Sequence, residues 1–246
     1  MKNKIQQLFA STKNSIALLI DPEKAMNQMN FEDFSRKINS SKIDFLLIGG
    51  STANRAELNN TINLLKTHCK KPIIIFPGSP DQISEKADAL LFLSLISGRN
   101  PDYLIESQIE SAIEIYNLNL ECIPTSYLLI DGLTESSVLK VSKTEPIPIE
   151  NPDLIYKTAL AGKLLGHSVT YLEAGSGAKR SVPVEIAKKI STLDTILIIG
   201  GGIKSISQIE EFHKAGTDVV VIGNHLENNP EFLNEINNYK TQSLLN

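Results

Sequence analysis

The stretch Ser168-Val169-Thr170-Tyr171-Leu172-Glu173-Ala174-Gly175-Ser176-Gly177 carries the reading on which the fold turns. A run dense in β-branched and aromatic residues ends in a carboxylate and then in a glycine-rich loop, the pattern of a strand feeding a turn. The pattern recurs twice downstream. Thr195–Ile199 runs into Gly200-Gly201-Gly202, and Asp218–Ile222 into Gly223-Asn224. Upstream lie five more apolar runs, Ser15–Ile20, Ile43–Ile48, Pro72–Phe76, Ala89–Leu93 and Ile123–Ile130. All eight are nearly continuous in Val, Ile and Leu instead of alternating, which suits parallel strands covered on both faces.

The segments between them read as amphipathic helices. Ile105–Tyr116 places Ile105, Ile109, Ala112, Ile113 and Tyr116 on one face, with Glu106, Glu110 and Glu114 elsewhere. Val184–Ser191 and Ile206–Ala215 behave similarly, with Ser205 or Ser207 available to cap the second. Eight alternations of strand and helix suit a barrel or a doubly wound sheet. The glycines separate the two. A dinucleotide-binding sheet has them after its first strand, where this chain has Asp21-Pro22-Glu23-Lys24; here they cluster after strands six to eight, as in the phosphate site of a barrel. The expected fold is a TIM-type (β/α)₈ barrel formed by one domain over residues 1–246. Phe76–Lys86, rich in Gly, Pro and Ser, is expected to be irregular, and Thr134–Ile155, with three prolines, to pass over the barrel.

Composition narrows the partners. The 246 residues carry 24 basic and 28 acidic side chains, a formal net charge of -4, spread along the chain. No basic stripe offers itself to nucleic acid, so no nucleic-acid partner is expected. Cys69 and Cys122 lack metal-ligand spacing and read as free thiols of a reducing cytoplasm. No apolar run reaches the length of a membrane span, so lipid contact is expected to be peripheral at most. Outer helices of such barrels often associate, and a homo-oligomer is expected.

Glycines after three consecutive strands let backbone N–H groups approach an anion, and the helix starts that follow add partial positive charge. Ser176 and Asn224 can add side-chain hydrogen bonds. Asp21 and Ser51, after strands one and two, supply hard oxygens of the kind that suits Mg²⁺ when a substrate phosphate completes its shell; Asp-Pro is also a common helix-start dipeptide. Glu173 is the best candidate for a general base, since a loop that excludes water raises a carboxyl pKa. Tyr171, two residues earlier on the strand, shares its face. Asp131 in Ile130-Asp131-Gly132-Leu133 is either a third acid or a turn residue. His68 and His213 read as helical and exposed, and His225 lies near the phosphate end.

Taken together, Ile20-Asp21-Pro22-Glu23-Lys24, Gly49-Gly50-Ser51-Thr52, Ser97-Gly98-Arg99-Asn100-Pro101, Tyr171 to Gly177 and Gly200-Gly201-Gly202-Ile203 resemble the geranylgeranylglyceryl phosphate synthase family, from about Ser15 to Asn224. The resemblance implies a prenyltransferase that joins a geranylgeranyl group, from its diphosphate, to the C3 hydroxyl of sn-glycerol 1-phosphate. It implies Mg²⁺ on Asp21 and Ser51, with Glu173 as base. Glycerol 1-phosphate would be bound by Tyr171, Leu172, Glu173, Ala174, Gly175, Ser176 and Gly177, with Gly201, Gly202, Gly223 and Asn224. The tail would need an apolar trough, for which Leu90–Ile96, Tyr103 and Leu104 are candidates. A branch of the family making longer products has a lysine where this chain has Leu19, so the chain looks more like the branch that includes archaeal and some bacterial enzymes. Two other readings stay open: a phosphosugar isomerase of the histidine-biosynthesis barrel type using Asp21 and Asp131, and a non-catalytic phosphate-binding protein.

Overall fold

The structure is a computed structural model that describes residues 4–27, 31–134 and 137–243. Eight parallel strands form in chain order: β1 (Ser15–Ile20), β2 (Phe45–Ile48), β3 (Ile73–Ile75), β4 (Ala89–Leu95), β5 (Glu121–Leu129), β6 (Val169–Glu173), β7 (Ile196–Gly200) and β8 (Val219–Ile222). Each pairs with the next, and β8 pairs back onto β1, so the sheet closes as the expected (β/α)₈ barrel.

Strand alternation divides the core in two. Inside the barrel stand Phe45, Leu47, Leu91, Tyr127, Tyr171 and Val221, among others. Leu46, Leu90, Leu128, Leu172 and Ile199 point outward, into the shell between sheet and helices. The barrel floor is plugged by α1 (Lys4–Ser11), whose buried Phe9 meets Phe45 edge-on with ring centroids 4.7 Å apart. The buried Glu121 carboxylate accepts the Ile5 and Gln6 N–H groups at 3.0 and 2.8 Å, satisfying helix-end donors that have no partner of their own.

Helices α2 (Pro22–Asn27) and α3 (Phe31–Ser40) follow β1, α4 (Arg55–His68) follows β2, and α5 (Ser107–Asn117) follows β4. Among the described residues no helix joins β3 to β4. The expected irregular segment lies there, held by buried Gln82, which donates to the Gly50 and Ala53 carbonyls at 2.8 and 2.7 Å and accepts from the Gly78 N–H. Beyond β5, α6 (Ser137–Ser142) crosses the barrel mouth, and α7 (Pro152–Leu164) starts at an Asn151 cap. The chain continues through α8 (Val184–Ile190), α9 (Ile206–Lys214), capped by Ser205, then α10 (Asn224–Asn228) and α11 (Phe232–Ser243). Among the described residues no helix is long and apolar enough to cross a membrane.

Two expectations are corrected. The apolar face of α5 and of the π-turn before it (Asp102–Glu106) looks outward: Ile105, Ile109, Ala112, Ile113 and Tyr116 are exposed, while Gln108, Ser111 and Ile115 face the barrel. The inner face borders the helix-less gap, so it is not packed wall to wall against apolar neighbours. His213 is buried, not exposed. Its ring nitrogens contact the Tyr239 hydroxyl at 2.8 Å and the Ser15 carbonyl at 3.2 Å, locking α11 against the barrel floor.

Candidate active site

Period-two alternation along β6 sends Val169, Tyr171 and Glu173 inward, so Glu173 stands in the top layer of the barrel interior. It is buried, and its Oε1 accepts the Gly175 N–H at 2.7 Å. Burial pushes its carboxyl up to about 7, against the opposing pull of the Gly175 amide and the Tyr171 hydroxyl. Tyr171 lies beneath it, stacked on Phe76 at 5.3 Å and edge-on to Tyr127 at 5.4 Å. Its hydroxyl lies beside Glu173 and feels its charge, yet among the described residues it has no well-aligned hydrogen-bond partner.

The glycines at and just after the end of β7 are required by this pair. A Cβ on Gly200 would sit 2.5 Å from the Tyr171 hydroxyl and 2.9 Å from Glu173 Oε2. One on Gly201, whose φ is 81°, would sit 2.5 Å from Glu173 Oε1. The loops after β6, β8 and β1 are tied together across the mouth. Lys24 Nζ donates to Asn224 Oδ1 at 2.9 Å, and Asn224 Nδ2 donates to Ser176 Oγ at 2.9 Å. Because Lys24 only donates, it fixes the Asn224 amide with its NH₂ end toward Ser176. The start of α9 offers an anion less than the sequence implies: Ser205 Oγ accepts the Gln208 N–H, and Gln208 Oε1 accepts the Lys204 N–H.

Asp21 and Ser51 both line the same cavity, of about 430 Å³. The Asp21 carboxylate rests against Gly50, where a Cβ would come within 2.9 Å of Oδ1. Partial burial raises its pKa, and Lys24 opposes the rise. Among the described residues no group of three or more His, Cys, Asp or Glu gathers as a metal cluster. The donors present, one carboxylate and one hydroxyl, are hard oxygens that fit Mg²⁺ only if a bound phosphate supplies more.

From this mouth the cavity runs over the barrel rim and down the outer face of β4. Leu90 and Phe92 floor it, Pro80 and Ile83 form one wall, and Gln108 and Ile115 of α5 the other. It occupies the space that a β3–β4 helix would fill. Tyr103, Val138 and Val141 line its entrance.

The structure brings Asp21, Ser51, Tyr171, Glu173, Ser176, Gly177, Gly201, Gly202, Gly223 and Asn224 to one cavity. Leu172 and Ala174 instead turn their side chains into the outer shell, and Gly175 enters through its amide. Leu104 does not line the trough. Asp131 does not line the cavity either; its Oδ1 accepts the Leu133 N–H at 2.9 Å, so it is a turn residue.

The chain matches the PcrB family over residues 10–240. It belongs to the PcrB family. Among its relatives, the geranylgeranylglyceryl phosphate synthase of Flavobacterium johnsoniae is 46% identical over 231 residues, covering 92% of this chain and 95% of the relative. The enzyme of that name from Ignicoccus hospitalis is 42% identical over 214 residues, 85% and 86% of the two chains. A crystal structure of (S)-3-O-geranylgeranylglyceryl phosphate synthase from Thermoplasma acidophilum, in complex with its substrate sn-glycerol-1-phosphate, superposes with a TM-score of 0.86 at 30% identity, covering 96% of each chain.

Three features of this PcrB-family site escape a reading of the sequence. Gln82, which holds the loop carrying Ser51, lies in a stretch with no periodicity. Lys204 lines the cavity but looks like any surface lysine. Lys24 had a signal, one helical turn after Asp21, yet its reach to Asn224 joins residues 200 positions apart.

Proposed function

We propose that this PcrB-family protein is a prenyltransferase that moves a geranylgeranyl group from its diphosphate to the C3 hydroxyl of sn-glycerol 1-phosphate. The observation that carries the proposal is Glu173, a buried carboxylate with a pKa of about 7 between glycine loops on one side and an apolar trough on the other. The loops after β6, β7 and β8, with Ser176 and Asn224, would hold the glycerol phosphate. The trough would take the tail, where each buried CH₂ is worth up to about 0.8 kcal/mol.

In the reaction the glycerol C3 oxygen bonds to prenyl C1 while the bond from C1 to the diphosphate oxygen breaks. Glu173 accepts the hydroxyl proton, and diphosphate leaves. A carboxyl with a pKa near 7 is matched to that transfer, being about half ionised at neutral pH yet basic enough to take the proton. Asp21 and Ser51 would hold Mg²⁺, which when bound supplies charge neutralisation to the leaving diphosphate. Tyr171 would orient the glycerol from below, fixed by its aromatic stack.

The isomerase alternative needs Asp21 and Asp131 to face one substrate, and Asp131 is occupied in its turn. A passive phosphate binder would gain nothing from a buried carboxylate with a raised pKa. The test is Glu173→Gln, with turnover and binding measured separately. Transfer is expected to vanish while glycerol 1-phosphate still binds in calorimetry. Retained turnover would remove Glu173 as the base.

A further inference from the structure

Arg55, the first residue of α4, reaches across the gap where β3 and β4 lack a helix. Its Nε donates to the Asp81 carbonyl at 2.8 Å, and its two terminal nitrogens donate to the Glu114 carboxylate at 2.7 and 2.9 Å. Asp81 lies between Pro80 and Gln82 in one wall of the trough, and Glu114 lies between Ser111 and Ile115 in the other. One guanidinium therefore pins both walls. Among the described residues no other hydrogen bond joins residues 79–83 to α5.

The pair is about 40% exposed on each side, and exposed ion pairs contribute at most about 1 kcal/mol to stability. What distinguishes it is geometry: a bidentate fork plus a third donor orders three segments at once. The pin also lies deep along the trough. Ser107, near the entrance, and Ile115 are eight residues apart on α5, which is about 12 Å of helix. A tail of two isoprene units would end short of the pin, while a tail of four or more would pass it.

We propose that the Arg55–Glu114 pin fixes the width of the deep trough and so sets which prenyl chain lengths are accepted, an inference that rests on the prenyltransferase reading. Arg55→Met removes all three bonds, and Glu114→Gln weakens two. Glu110→Gln, an exposed change on the same helix, is the control. Two readouts are used with donors of two, four and five isoprene units: kcat/KM, and calorimetric binding of the unreactive thiolodiphosphate analogues. Arg55→Met should raise the ratio of the four-unit and five-unit donors to the two-unit donor by about fivefold in both readouts, the effect of losing about 1 kcal/mol of restraint. Glu114→Gln should raise it less, and the two-unit donor and the control should not change.

Equal shifts for all three lengths, or none, would overturn the pin. If the wild type binds the analogues but transfers nothing, the transferase reading falls, while the binding ratios still decide the pin. If it binds none of them, the trough holds no tail and both fall.

Discussion

Replacing Glu173 by Gln should make the protein more stable at the pH where it works. Burial raises the folded-state pKa from the ordinary 4.5 to about 7. Between those values the folded state holds a proton that the unfolded chain has released, so stability falls as pH rises through this window. Above about pH 7 the loss is complete. At about 1.4 kcal/mol per pKa unit, a shift of about 2.5 units amounts to about 3 kcal/mol. Gln keeps the acceptor for the Gly175 N–H, places an amide beside the Tyr171 hydroxyl, and carries no charge to desolvate. The variant should therefore gain about 3 kcal/mol over the wild type at pH 8 and almost nothing at pH 4.5. In a chain of 246 residues that gain raises the melting midpoint by roughly 6–12 °C. Urea denaturation followed by far-ultraviolet circular dichroism at both pH values measures it, tryptophan fluorescence being excluded because the chain has none. A stability difference that does not vary with pH would refute the reasoning, because it would mean that Glu173 titrates alike in both states.

The same carboxyl predicts that kcat/KM falls about tenfold per pH unit below pH 7, since only ionised Glu173 accepts the proton; a flat profile from pH 5.5 to 8 would assign the base elsewhere. Gly201→Ala should abolish transfer and destabilise by about 1–3 kcal/mol, because the residue has φ 81° and its new methyl would lie 2.5 Å from Glu173 Oε1; steady-state rates and denaturant midpoints check both parts. Lys24→Met should raise the KM for glycerol 1-phosphate about tenfold with a smaller change in kcat, through loss of a charged donor and release of the Asn224 amide. An unchanged KM would show that Asn224 holds its orientation without help.

Why the barrel is legible in the sequence follows from its burial. Strands covered on both faces must be apolar throughout, and β6 announces itself by that and by the glycines that follow. Glu173 is legible because alternation from Val169 fixes its direction. The same alternation, applied residue by residue, turns Leu172 and Ala174 away from the site, which reading the motif as one contiguous run obscures. The orientation of α5 was hidden for a different reason. Apolar periodicity shows which residues share a face, but which face meets the barrel depended on the missing β3–β4 helix. That gap makes the trough, and it puts Gln108 and Ser111 inside while Ile109 and Ile113 remain exposed. Gln82, Arg55 and His213 act through partners distant in sequence, so no local pattern marks them. For Asp131 the sequence offered two roles of equal standing, and the Leu133 amide decides between them.

The most direct test of the central claim is transfer itself. The protein is incubated with Mg²⁺, radiolabelled sn-glycerol 1-phosphate and geranylgeranyl diphosphate, and the mixture is extracted with organic solvent. Label is expected in the organic phase with the wild type, lost on chelation of the metal and absent with Glu173→Gln. Label that stays in water with the wild type, at any donor length, would contradict the claim.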